Sequence, residues 1–387
     1  MLSLLLPVAV DPNPRRVVLL RLQLIVKASW RRWAAVCAAV TVACGPAPEA
    51  SVALASLLRD GNRHVVEIGL EGDTGRAASL GIVFGARLGP DSQSVLVLDV
   101  SPPLVRVYHG GTLEHAFLKR GGGPGESGIP AALAVSRDSQ VLVADVAGRI
   151  SFFSLRGEHL GSVNDLPFRT LAAAQCGPDW VLYGPSMDAG RRVGWLHLLQ
   201  VTRTQRGLSG RTRTLFSDSG MPESIPIGKP VGLVADDAGA LALRHDLTRE
   251  PVIVVVSCRP GEPVAARVAR RLEGAPPAPS TRVLDRAVAV VTGNAGRASA
   301  GVANLRSGLL LADMEFRITG RFEGFTRFTL ISPRRTVRVS VPGVYMIRDS
   351  RPGLGVLFSS SDPVPHVFVV HEDSLLAALR GPGGRGP

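Results

Sequence analysis

Val95-Leu-Val-Leu-Asp99, a short turn, Val105-Arg-Val-Tyr108 and Gly110-Gly111 form a phrase that the chain repeats as Val141-Leu-Val-Ala-Asp145, Arg149-Ile-Ser-Phe-Phe153 and Arg156-Gly157. Between the copies lies Lys119-Arg-Gly-Gly-Gly-Pro-Gly-Glu126. Each copy pairs two apolar runs of strand length around a turn that begins at an Asp, with a period of roughly 45 residues. One such unit cannot bury both faces of its own sheet, so neighbouring units must stack on each other. The repeat predicts an all-β fold of radially stacked, four-stranded antiparallel blades, a β-propeller.

Outward from the two clear copies, apolar runs of four to six residues recur between Gly, Pro, Asp and Ser clusters, with almost no helical periodicity. Leu171–Ala174, Trp180–Tyr183 and Val193–Leu199 make a third unit, and Val231–Val234, Ala240–Leu243 and Val252–Val256 a fourth. Val283-Leu284, Ala287–Val291, Gly308–Asp313 and Phe325–Leu330 are the candidate strands of a fifth. Thr336–Val339, Tyr345–Ile347, Gly355–Phe358 and Val367–Val370 give a sixth. The expected propeller is six-bladed, spans 64–373, and has units of ~50 residues. His64–Gly69 precedes the first full unit and is expected to complete the last blade beside Val367–Val370, because an unclosed ring exposes two sheet edges. Thr204–Thr214 and Gly274–Pro279 read as surface loops, and 374–387 as a flexible tail.

Of 387 residues, 45% are hydrophobic and 20% charged, which supplies a core and excludes global disorder. The formal charge of +12 is almost all Arg, scattered along the chain, with Lys only at Lys27, Lys119 and Lys229. Scattered surface Arg is the expectation, and nucleic acid is not the expected partner. Cys37, Cys44, Cys176 and Cys258 form no C-x-x-C pair and have no His at metal-ligand spacing. Two separately buried thiols are expected for Cys176 and Cys258, a disulfide in an oxidising compartment being the alternative.

Lys27, Arg31 and Arg32 precede the apolar run Trp33–Ala43, which is too short to span a bilayer as a helix and reads as a signal peptide over 31–44. Thr41-Val-Ala-Cys44 resembles a bacterial lipoprotein lipobox, with Thr41 in place of the usual Leu, and the resemblance implies lipidation at Cys44. Gly45 in the next position implies outer-membrane sorting rather than inner-membrane retention. An ordinary secreted protein cut after Ala43 or Ala50 is the alternative. Residues 45–63 read as a Pro- and Ala-rich tether. Residues 1–30 are an extension explained by a start site placed too far upstream, or by a second membrane segment that Arg21 and Gln23 interrupt.

Gly-x-Gly-Pro-Gly-Glu leading to a Pro and then a strand ending in Ala-Asp resembles the inter-blade segment of NHL-type six-bladed propellers. It is most similar to bacterial extracytoplasmic members without assigned activity. The likeness is strongest over Val95–Val163, and Pro365-His366-Val367 looks like their closing blade. The glycine loop lacks the Gly-Lys-Ser/Thr ending of a phosphate-binding loop, so Gly123, Pro124, Gly125 and Glu126 are read as an inter-blade turn. Asp99 and Asp145 are read as turn caps. A cation-binding ring including Asp313 is broken by Gly184 and Arg244 at the corresponding places. No catalytic, metal or cofactor set can be placed. The expected function is an envelope-anchored binding or scaffold module for a protein, peptide or glycan, without catalysis. The alternative is a metal-dependent hydrolase or lyase with its site in the central channel, as the resemblance also implies.

Overall fold

A computed structural model describes residues 49–59, 64–69, 80–91, 93–188, 191–205, 207–218, 233–235, 240–245, 252–259, 261–271, 297–318, 322–333, 336–361 and 364–380. These residues form six four-stranded antiparallel sheets and one short two-stranded pairing. From inner to outer strand, the first sheet is Val83–Leu88, Ser94–Asp99, Val105–His109 and Thr112–Phe117. The second is Pro130–Val135, Gln140–Asp145, Ile150–Ser154 and His159–Val163. The third is Ala172–Cys176, Asp179–Asp188, Arg191–Thr204 and Gly207–Asp218. The fourth is Leu233–Ala235, Ala240–His245, Val252–Ser257 and Ala265–Arg271. The fifth is Arg297–Leu305, Gly308–Ile318, Phe322–Ile331 and Thr336–Pro342. The sixth is Tyr345–Arg351, Gly355–Ser360, His366–His371 and, outermost, His64–Ile68.

Successive innermost strands touch one another, and that of the sixth sheet returns to that of the first. This cyclic stacking makes the fold a β-propeller. Burial follows from it: a middle strand has a neighbouring sheet on both faces, so Ser94–Asp99 is buried at every position rather than at alternate ones. The outer strand Thr112–Phe117 is exposed or half-buried throughout. Near the axis the sheets converge, and the inner strands carry small residues such as Ala132, Ala134, Ala172–Ala174, Ala300 and Ala303, all buried.

Closure uses the strand that the sequence offered for it. His64 stands opposite Val370, and Ile68 opposite Val367. The seam between the sixth and first sheets is polar. Arg348 donates to the carbonyls of Val83 at 2.8 Å and Phe84 at 3.2 Å, and to Ser359 Oγ at 2.7 Å. Arg351 donates to the carbonyls of Gly89 and Pro90, Arg87 to that of Arg348, and Leu88 N–H to the Asp349 carboxylate at 3.0 Å. Burial, with Arg87 beside it, lowers the Arg348 guanidinium to about 10. Burial also raises the Asp349 carboxyl, against the pull of Arg87.

Several expectations are corrected. Arg297–Leu305 is the inner strand of the fifth sheet, and Thr336–Pro342 is its outer strand rather than part of the sixth. The candidate strands Val283–Val291 and the loop Gly274–Pro279 lie outside the described residues, as do Cys37, Cys44 and 1–48. Thr204–Thr214 is not an inter-blade loop, because Thr204 pairs with Gly207 and Leu198 with Arg213 in a hairpin of the third sheet. Its polar character is that of an outer strand with one face in solvent.

Neither flank is wholly tether or tail. Helix α1, Glu49–Arg59, buries Leu54, Leu57 and Leu58, and helix α2, Glu372–Arg380, buries Leu375, Leu376 and Leu379. Both stripes have the spacing of one helical face and join a core cluster containing Phe328, Phe358 and Phe368 of the fifth and sixth sheets. Glu372 is 1% exposed, and its carboxylate accepts from Arg306 N–H at 2.7 Å and Gly353 N–H at 2.5 Å, tying both sheets to the start of α2. Cys176 and Cys258 are bonded, with Cα atoms 5.0 Å apart, joining the third sheet to the fourth. Two free thiols were expected, because a separation of 82 residues hides the juxtaposition that stacking creates.

Candidate binding face

On one face of the ring the inner strands begin, the second strands end, and the links between sheets cross. Val83 stands opposite Asp99 there, and Pro130 opposite Asp145. Asp99 is fully buried and saturated. It accepts from Gly81 N–H at 2.7 Å, Ser101 N–H at 2.8 Å and Arg106 Nη1 at 2.5 Å. It thus caps its turn, holds the incoming link and neutralises a buried guanidinium. Asp145 repeats the arrangement more loosely, accepting from Ala147 N–H at 2.7 Å with Arg149 at 3.5 Å.

In the third sheet Gly184 follows Tyr183, the partner of Ala172, and solves the same crossing by absence. A Cβ there would lie 1.7 Å from the Arg169 carbonyl oxygen, so the link passes where a side chain would be. Asp313 is not a turn residue. It lies inside Gly308–Ile318, opposite Ser299 and Arg327.

The glycine loop is filled by its own residues. Glu126 N–H donates to the Gly123 carbonyl at 3.1 Å across Pro124 and Gly125, and Gly125 has φ +70°, the residues a type II turn demands. The Glu126 carboxylate folds back to accept from Gly123 N–H at 2.8 Å and occupies the space beside Gly121, where a Cβ would meet it at 2.1 Å. Arg149 clamps the outside, donating to the carbonyls of Gly122 at 2.8 Å and Glu126 at 2.5 Å. An incoming phosphate would meet a carboxylate already on that N–H. Asp99, Asp145, Glu126 and Arg149 are all engaged in holding turns, and no group of three or more His, Cys, Asp or Glu among the described residues is placed to hold a metal ion.

Among the side chains that the described links of this face leave in solvent are large aliphatic and basic ones. Ile82 is 65% exposed, Ile129 48% and Val364 44%. Ile82 and Ile129 occupy the same place in the repeat. Each immediately precedes an inner strand, and their carbonyls accept from Val100 N–H at 3.1 Å and Val146 N–H at 3.0 Å. Val364 lies in the matching second-to-third-strand link of the sixth sheet, beside the lead-in to the first: Pro365 and Leu80 both crowd Gly69. None of these residues is singled out in the sequence analysis, although the repeat period relates the two isoleucines. Lys119, Arg120 and Arg169 are exposed on the same face, with Asp165 the exposed carboxylate of its described links.

The face is uneven in height. In the first, second and sixth sheets the second strand stops level with the inner strand. In the third sheet Gly184–Asp188 runs on past Tyr183, paired with Arg191–Trp195, which at a strand's rise projects roughly 16 Å. In the fifth, Phe316–Ile318 pairs with Phe322–Gly324 beyond the start of the inner strand, a projection of roughly 10 Å. Ile82, Ile129 and Val364 stand on the low side.

No protein-family model matches the chain, and no curated protein matches it. Among solved structures it is similar to the β-propeller domain of Cps50 (Swd1) from Myceliophteria thermophila, with 12% identity, a TM-score of 0.41, and coverage of 75% of this chain and 96% of that domain. It is similar to BamB from Moraxella catarrhalis at 13% identity and a TM-score of 0.37, covering 79% of this chain and 99% of that one. Hydrazine synthase from Kuenenia stuttgartiensis matches at 11% identity and a TM-score of 0.44, covering 80% and 82%. The propeller assignment rests on the chain's own strand order and cyclic stacking.

Proposed function

We propose that the chain is a six-bladed propeller of the NHL type, exported and held at the envelope by a lipid on Cys44, whose turn-bearing face binds a protein, peptide or glycan without catalysing a reaction. One observation carries the binding reading. On this face Asp99, Asp145, Glu126 and Arg149 are committed to turns, while the aliphatic side chains of Ile82 and Ile129, at equivalent repeat positions, are left in water. Polar groups spent on rigidity beside exposed apolar ones suit recognition, because loops on a rigid scaffold hold a surface in shape. Export is supported by the Cys176–Cys258 bond, since such bonds persist in oxidising compartments, and by the basic and apolar pattern that ends at Cys44.

A photo-crosslinking amino acid at Ile82 or Ile129 in the native host is expected to give discrete adducts. The same residue at Arg137 or Arg156, exposed in hairpin turns of the opposite face, is expected to give none. Adducts from the opposite face alone, or from neither, would overturn the proposal.

A further inference from the structure

We infer that the occupant of this face is an acidic polypeptide segment bearing aliphatic side chains, laid across the low side formed by the sixth, first and second sheets. This rests on the binding reading above and narrows its ligand. The five exposed large apolar side chains among the described residues are Val52, Ile82, Ile129, Val268 and Val364, and three of these, Val364, Ile82 and Ile129, fall on consecutive sheets of one face. Sheets packed face to face stand about 10 Å apart, a distance that about three residues of extended chain span. A polypeptide with recurring aliphatic side chains therefore reaches from one of these contacts to the next.

The charge on the described links favours an acidic partner. Lys119, Arg120 and Arg169 are exposed on the described links of this face against the single exposed carboxylate of Asp165. The other carboxylates are withdrawn: Asp99 and Asp145 pair with Arg106 and Arg149, and Glu126 with Gly123 N–H. A cationic shelf around apolar contacts favours acidic side chains and disfavours basic ones. The chemistry also separates polypeptide from the other polymers. Sugars and bases stack on aromatic rings, and every exposed large apolar residue among those described is aliphatic. The projecting hairpins of the third and fifth sheets bound the shelf on its far side, which suits a segment lying along the low half.

The test measures binding of the folded, Cys44-free protein to immobilised 12-residue peptides of three kinds: acidic with aliphatics, basic with the same aliphatics, and acidic without them. Chitohexaose and phosphatidylglycerol vesicles complete the panel. Acidic-aliphatic peptides are expected to bind alone, more weakly as salt rises. The pair Ile82→Ser with Ile129→Ser, and the pair Lys119→Glu with Arg120→Glu, are each expected to weaken binding by about tenfold or more. Val268→Ser, which removes an exposed valine from an outer strand, is expected to change nothing; melting curves matched to wild type show that the variants fold.

Equal binding of basic peptides, an equal loss in Val268→Ser, or no peptide binding would overturn the inference. Glycan or vesicle binding lost in the Ile82 and Ile129 variants would also overturn it, while leaving the binding face itself standing.

Discussion

Asp99 shows how one residue carries both the repeat and its stability. Its place at a strand end was legible, since Asp at the start of a tight turn accepts backbone N–H groups. Its partner was not, because Arg106 reads in the sequence as a surface position of a strand and only the neighbouring sheet makes it 2% exposed. Asp99→Ala leaves that guanidinium buried without its counter-charge, a change of about 3–5 kcal/mol, and is expected to lower the urea midpoint sharply. Asp99→Ala with Arg106→Leu is expected to recover part of the loss; an unchanged midpoint in the single variant would refute the assignment. His197 is a second buried residue whose burial the sequence did not announce. It is 4% exposed and stacked on Phe168 with ring centroids 3.8 Å apart, and burial lowers its pKa from 6.5 to about 4. A base with a lowered folded pKa stabilises the fold above its unfolded value and loses that contribution as pH falls. The stability of the wild type is therefore expected to drop by up to about 3 kcal/mol between pH 6.5 and 4. His197→Phe should flatten that interval, and an identical slope in both proteins would count against it.

Among the elements, legibility tracked how far each departs from a two-faced apolar strand. The first two sheets could be read because their middle strands are near-continuous Val, Leu and Phe runs closed by Asp turns. Arg297–Leu305 was missed because an inner strand near the axis needs small residues, and Ala, Ser and Gly do not announce a strand. Thr204–Thr214 was missed for the opposite reason, having too little apolar content for a strand whose outer face is wet. The helices were hidden differently: the stripe Leu54, Leu57, Leu58 sits behind Pro and Ala, and Leu375, Leu376, Leu379 stand before a glycine-rich end. Both stripes complete one core cluster, so Leu375→Ala opens a cavity in it at a cost of about 2–5 kcal/mol. A calorimetric melt is expected to move down by several degrees, whereas the freely moving tail read from the sequence would leave it in place.

At the scale of the whole molecule, the ring order, the closing strand and the class of fold were legible, because closure is a requirement that any stack of such sheets must meet. The link between the third and fourth sheets and the height of the face were not, because both depend on which residues the stacking brings together. The Cys176–Cys258 bond and the segment ending at Cys44 belong to one proposition, that the protein works outside the cytoplasm. The most direct measurement is labelled-palmitate incorporation with membrane fractionation, for wild type and Cys44→Ala, with the mature terminus and the two body cysteines read by mass spectrometry. Label and membrane association in wild type alone, a terminus at Cys44 and a closed Cys176–Cys258 bond are the expected result. A soluble, unprocessed, unlabelled protein with both thiols reactive would contradict it.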